Sequence, residues 1–207
     1  MIHYQTHGHA DSQAVILLHS GGMAGEEWQP QIAPLAQRYR VLVPDLPGHG
    51  KSELAGERLS VSLMAEAVLD MMDAEGIETA NLCGSSMGGA VALWLTLKHP
   101  ERVKRLVLYR ISYRSNLDIH KQIYAMGDPA YWENFGLAAW LSKLHSPQGG
   151  ADAWKQVIAR VGDALHADES EHKHRLEDLA RITCPVLIIT GDRDPVAPLA
   201  DALDMYR

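Results

Sequence analysis

The stretch Ala80-Asn81-Leu82-Cys83-Gly84-Ser85-Ser86-Met87-Gly88-Gly89-Ala90-Val91-Ala92-Leu93 constrains the fold more than any other. It opens apolar, turns through Gly-Ser-Ser-Met-Gly, and continues as an Ala/Leu/Trp-rich helix. Gly84-x-Ser86-x-Gly88 fits the nucleophile elbow, in which a serine rides on a strained strand-to-helix turn. Only small neighbours tolerate that turn. Gly84 and Gly88 let strand and helix approach without Cβ clashes. The Met87 N–H then points toward a developing oxyanion, and the helix N-terminus adds partial positive charge there. An ordinary glycine-rich βα turn has the same three residues, so the flanking strand and helix decide for the elbow.

Around this stretch, strands and helices alternate. Met1 to Gly8 alternates weakly, as a short leading strand. Ala14 to Leu18 is a continuous apolar run, expected of a strand buried on both faces, and ends in His19-Ser20-Gly21-Gly22. Glu26 to Arg38 reads as a helix, with Pro30 and Pro34 blurring its start. The strand Tyr39 to Pro44 runs into the turn-rich Asp45-Leu46-Pro47-Gly48-His49-Gly50-Lys51-Ser52. Ser60 caps a helix through about Glu75, closed by Gly76. The elbow helix ends near His99-Pro100, and Arg102 to Tyr109 is another strand. This order predicts a mostly parallel α/β sheet. From Ser112 to Arg181 the pattern turns helical and aromatic. A strand returns at Pro185 to Thr190, ending in Gly191-Asp192-Arg193-Asp194, and a last helix runs from near Pro198 to Arg207.

Composition bounds the function. A chain of 207 residues buries a sizeable core and suits one domain with an insertion. With 46% hydrophobic and 22% charged residues it reads as an ordinary soluble protein. A net charge of −7, with no basic run, argues against nucleic acid as a partner. No apolar run reaches membrane-spanning length and no secretory leader is legible, so no membrane partner is expected. Cys83 and Cys184 read as two buried, reduced thiols in a cytoplasmic chain.

Four motifs in one order resemble the α/β-hydrolase superfamily, of the serine esterase type with a helical cap. His19-Ser20-Gly21-Gly22 is similar to its His-Gly oxyanion loop, with Ser20 in place of the usual glycine. Asp45 to Ser52 resembles its Asp-x-x-Gly-x-Gly-x-Ser turn, Gly84 to Gly89 the elbow, and Gly191 to Asp194 the segment that delivers the triad acid. The resemblance implies an α/β-hydrolase fold: a mostly parallel sheet flanked by helices, with a helical cap inserted. It divides the chain into core (1–111), cap (112–181) and a second part of the core (182–207). It implies Ser86 as nucleophile, Asp194 as acid, and the Gly21 and Met87 amides as oxyanion hole. The expected activity is hydrolysis of a small carboxylic ester or related acyl compound through an acyl-enzyme. No metal or organic cofactor is implied, and the protein would act as a monomer or homodimer. A C–C hydrolase, lyase or cofactor-free haloperoxidase would reuse the same parts, and a ligand-binding member could lack catalysis.

The family order is Ser, then Asp or Glu, then His. Here the last histidine, His174, precedes Asp194. The resemblance therefore implies a truncated sequence, with the last strand, the loop bearing the catalytic His and a closing helix missing. That would leave Pro185 to Thr190 as an exposed edge. The alternative is a histidine from the insertion, such as His145, His166, His172 or His174. His19 and His49 are expected to be structural. His172-x-His174, with Glu169, Glu171 and Lys173 around it, reads as a solvated helix face rather than a metal site. Trp132, Trp140 and Tyr113 are expected to touch the substrate. Arg110, Tyr113 and Arg114 either hold a substrate carboxylate or tie core to cap.

Overall fold

A computed structural model describes residues 2–114, 117–167 and 171–207, with the side chains of 166 and 167 outside that description. The core elements are β1 (Tyr4–His7), β2 (Ala14–Leu18), α1 (Gln29–Ala36), β3 (Arg40–Pro44), α2 (Val61–Ala74), β4 (Ala80–Ser85), α3 (Met87–Lys98) and β5 (Val103–Tyr109). Five helices follow: α4 (Leu117–Met126), α5 (Pro129–Asn134), α6 (Ala138–His145), α7 (Ala153–Ala167) and α8 (Leu176–Leu179). β6 (Val186–Ile189) and α9 (Leu199–Tyr206) complete the described chain.

The strands form one sheet in the order β1-β3-β2-β4-β5-β6. Only β1 runs antiparallel to its neighbour; β3, β2, β4, β5 and β6 pair in parallel. Strand side chains alternate between faces, and β2 shows the consequence. Ile16 and Leu18 join the core under α2 and α3, while Val15 and Leu17 face Trp28 and Ile32 on the other side. That two-sided burial is why β2 reads as an unbroken apolar run.

Helix α2 starts where its cap demands: the Ser60 hydroxyl accepts the Leu63 N–H at 3.1 Å. The Glu171 carboxylate adds an anion there, taking the Val61 amide at 2.9 Å and the Ser62 hydroxyl at 2.5 Å. This contact draws residues 171–174 down onto the core. The expectation of a solvated helix face at His172 and His174 is therefore corrected. Those residues lie outside any helix, and His172 is only 4% exposed. The long-range pull of Glu171 on α2 leaves no local periodicity to read. Glu169 lies outside the described residues.

At the elbow, backbone meets backbone. A Cβ on Gly84 would sit 2.2 Å from the Gly88 carbonyl oxygen, and one on Gly88 only 2.3 Å from the Leu18 carbonyl oxygen. The glycines are thus steric requirements of the β4–α3 packing. On the outer side of β5, β6 has Val186, Leu187 and Ile189 at 42%, 55% and 43% exposure. The two cysteines are free and half-buried, less enclosed than expected. Burial pushes the Cys83 thiol up to about 11, with the Glu27 charge adding to it, so Cys83 stays protonated.

Candidate active site

The four motif segments converge at the C-terminal ends of β2, β3, β4 and β6. Ser86 has φ 50° and ψ −113°, a region that L-residues rarely adopt. Two hydrogen bonds over-determine this conformation: the Ser86 N–H donates to the Tyr109 carbonyl at 2.8 Å, and the Ala90 N–H donates to the Ser86 carbonyl at 3.0 Å. Ser85 is fully buried beneath it.

Ser86 lines a cavity of about 130 Å³. Its walls are mostly apolar and come from the helical segment: Ile123 and Met126 of α4, Trp132 of α5, and Ile158, Val161 and Leu165 of α7. Gly21 lines the same cavity, and Met87 lines an adjoining hollow shared with Ser86. No hydrogen bond is formed by the Gly21 or Met87 amide among the described residues. Two unspent N–H donors beside a serine are able to receive an oxyanion.

Ser20 departs from glycine for a physical reason. Its amide and hydroxyl donate to the two oxygens of Glu27 at 2.6 and 2.8 Å, and its hydroxyl meets that of Ser85 at 2.8 Å. Sequence reasoning missed Glu27. The available signal was a hydroxyl replacing glycine in a buried loop, which needs a partner.

Three imidazoles hold the loops together. His19 Nε2 accepts the Leu46 N–H at 2.9 Å, His49 Nε2 accepts that of Gly22 at 3.2 Å, and His145 Nδ1 accepts that of Gly50 at 3.1 Å. Each second nitrogen faces a backbone carbonyl: Ser20, Pro47 and Gly22 respectively. Such pairing fixes neutral tautomers, each with one donor and one acceptor. His145 thus ties α6 to both core loops and is not a base for Ser86.

Burial lowers all three, and mutual repulsion lowers His19 and His49 further. His19 is lowered to about 4, and His49 and His145 move in the same direction. An unfolded chain binds these protons near pH 6.5, but the folded one refuses them at His19 until about pH 4. Stability is therefore full above about pH 6.5 and falls as pH drops toward 4, by roughly 3 kcal/mol for His19 alone. Chemical-denaturation midpoints at pH 7.5 and 4.5 check this. The midpoint falls on acidification, and a flat profile between those values would contradict the neutral clamp.

Asp194 lies behind the cavity rim. Its Oδ1 accepts the Val196 and Ala197 amides at 2.9 and 3.0 Å, and its Oδ2 accepts Arg110 Nε at 2.8 Å. Burial pushes this carboxyl up, but Arg110 and the two amides outweigh it and hold it below the usual carboxylate range. Arg110 itself lines the cavity with Ser86. The Asp194 carboxylate is thus paired with a guanidinium. Of the weighed histidines, His172 lines the hollow adjoining Ser86, and the His166 side chain lies outside the described residues.

Of the expected substrate contacts, Trp132 lines the cavity, with its Nε1 donating to the Met126 carbonyl at 2.7 Å. Trp140 and Tyr113 do not. Trp140 borders a separate outer hollow with His3 and Lys143. Tyr113 is buried, its hydroxyl 3.4 Å from Asp204 Oδ2 of α9. Trp140 was expected from its aromatic character and Tyr113 from its place just after a strand, and neither signal encodes which side chain meets the cavity. Arg114 pairs with Asp201 of α9 at 2.6 Å, a core contact. No group of three or more His, Cys, Asp or Glu among the described residues is placed to hold a metal ion. No described helix is long and apolar enough to cross a membrane.

Residues 13–139 match the family model of the alpha/beta hydrolase fold. The chain belongs to the α/β-hydrolase family. It is 31% identical over 215 aligned positions to 3-oxoadipate enol-lactonase 1 of Acinetobacter baylyi, covering 95% of this chain and 77% of the relative. It is 38% identical to a protein of Variovorax paradoxus whose name is that of a carbamate hydrolase, covering 98% of this chain and 84% of the relative. A 2-hydroxy-6-oxo-6-phenylhexa-2,4-dienoate hydrolase from a Rhodococcus strain has the same fold, with a TM-score of 0.79 at 24% identity over 99% of this chain and 82% of that one. This α/β-hydrolase is accordingly a hydrolase enzyme.

Proposed function

We propose that this α/β-hydrolase is a cytoplasmic serine hydrolase of small carboxylic esters or lactones, working through an acyl-enzyme on Ser86. The observation that carries the reading is Ser86 held at φ 50° on a cavity wall, beside two amides with no partner among the described residues. Ser86 Oγ attacks the carbonyl carbon and gives its proton to an imidazole base. The tetrahedral oxyanion takes the Met87 and Gly21 N–H groups. One such donor is worth about 3 kcal/mol of transition-state stabilisation. The alcohol departs with the base's proton, and water repeats the sequence in reverse to free the acid. The segment from α4 to α7 acts as the lid, excluding water from an apolar acyl site. The relative named as an enol-lactonase supports a cyclic or small ester rather than a long acyl chain.

By the family resemblance, Asp194 orients the base. His172 is the described imidazole bordering Ser86's hollow, so His172→Ala is the discriminating variant. It is expected to change ester turnover less than about tenfold, since general-base removal costs about 10²–10⁴. A fall in that larger range would assign the base to His172. The reaction class is tested with short-chain p-nitrophenyl esters and γ-lactones against a vinylogous 1,5-diketone. Ester or lactone turnover is expected. Cleavage of the diketone without ester turnover would replace this reading with C–C hydrolysis.

A further inference from the structure

Arg110 is over-engineered for a simple ion pair. It directly follows β5 in a left-handed conformation, φ 57°, which an arginine adopts only when held there. Its own N–H donates to the Ile189 carbonyl at 2.9 Å, tying it to β6. The guanidinium spends only Nε, on Asp194 Oδ2 at 2.8 Å. Its two terminal Nη groups form no hydrogen bond among the described residues. The Asp194 side chain is 7% exposed, whereas that of Arg110 is 41% exposed, so the guanidinium is the part that faces open space. That space is the Ser86 cavity and the hollow beside it, both of which Arg110 lines.

The charge pattern of the walls gives this meaning. Arg110 is the one cation among the described lining residues of the cavity, set against Met23, Ile123, Met126, Trp132 and Val161. Glu27 is the one carboxylate there, and both its oxygens are committed to Ser20. Lys173 adds a second positive side chain in the adjoining hollow. An apolar pocket with one partly spent guanidinium selects for a ligand that is apolar along its length and anionic at one point. Arginine's planar fork receives a carboxylate through two parallel N–H bonds, which a lysine cannot reproduce.

We propose that Arg110 is the substrate anchor of this site, taking a free carboxylate on an ester or lactone whose reacting carbonyl lies at Ser86. The substrate class is thus a half-ester or carboxylated lactone rather than a neutral ester. Asp194 holds the fork by Nε and leaves its Nη groups for the ligand. This rests on the reading of Ser86 as the reacting group, but the anchor is measured by binding alone.

The test is calorimetric, on the Ser86→Ala protein, so that esters survive. The probes are the monomethyl esters of succinate, glutarate and adipate, each against its dimethyl ester, which has the same backbone without the charge. At least one monoester is expected to bind tenfold or more tightly than its diester. Arg110→Gln should weaken that monoester about tenfold to a hundredfold while moving the diester less than threefold. Arg110→Lys should recover only part of the loss. Asp194→Asn decides between anchor and brace. With less competing negative charge, the monoester should bind as well as before or more tightly. No monoester preference for any of the three, equal weakening of both esters by Arg110→Gln, or an Asp194→Asn loss equal to that of Arg110→Gln would each overturn the proposal. Failure of the hydrolase reading shows separately, as absence of a covalent adduct on Ser86 in the otherwise unaltered enzyme.

Discussion

Alanine at position 86 is expected to lower ester hydrolysis on the order of 10³-fold or more, with little change in KM. The size follows from what the hydroxyl does. It supplies the bond to the acyl carbon, and no other group in the cavity can replace that bond. The other hydroxyl on the cavity wall, Ser20, is committed to Glu27 and Ser85, and Glu27 to Ser20. Binding should survive, because the apolar walls and the two amides are untouched. Ser85→Ala is the matched control. Its hydroxyl is fully buried and, among the described residues, meets only Ser20, so its loss should cost about 1 kcal/mol of stability and little of the chemistry. Steady-state kinetics on the two variants separate these outcomes. Equal losses at 85 and 86 would mean that the turn, and not the Ser86 oxygen, is what matters.

Gly88→Ala is expected to be among the most damaging single-methyl additions at the elbow. The added Cβ would stand 2.3 Å from the Leu18 carbonyl oxygen and 2.6 Å from that of His19. Both are backbone atoms at the end of the central strand β2, so no side chain can swing aside. Strand and helix must separate, at a cost of about 3 kcal/mol or more. For a chain of this size, that lowers the melting temperature by roughly 10 °C. Gly76→Ala is the contrast. Gly76 also has a demanding backbone, φ 65°, but nothing lies within 4 Å of its Cβ position. Only the left-handed conformation is penalised there, by about 1 kcal/mol. Thermal melts of the two variants check the ranking. A Gly88→Ala protein as stable as Gly76→Ala would show that the elbow packing is looser than the close approach of Gly88 to Leu18 requires.

What was legible in the sequence was what local chemistry enforces. The β2 run, the Ser60 cap and the Gly84-x-Ser86-x-Gly88 spacing each reflect a constraint acting within a few residues. The structure has a strand, a cap and a strained serine at those places. The helix expected over Glu26 to Arg38 forms as a short 3-10 turn, Gly25–Trp28, followed by α1, since Pro30 suits only a first turn. Arg102 lies in a turn before β5 rather than in the strand, its guanidinium bonded to Asp73 and to the Glu78 carbonyl.

The site's polar wiring was less legible because its partners lie far apart in sequence. Glu171 reaches α2 across 110 positions, and His145 reaches Gly22 across 123. No spacing rule announces such pairs. Tyr113 and Trp140 show the same limit: place after a strand suggested the one and aromatic character the other, and packing set both elsewhere. Arg110 shows it for charge: a substrate-carboxylate holder and a core-to-cap tie were the roles weighed, and only the fold put it against Asp194.

The central claim is that Ser86 forms the acyl-enzyme, and covalent labelling tests it most directly. The protein is treated with a fluorophosphonate, digested, and the modified peptide mapped by mass. The account predicts a single adduct on Ser86, at a stoichiometry approaching one, with ester turnover lost in proportion. An adduct on Ser20, Ser85 or another serine, or ester turnover that persists with no adduct at all, would contradict it.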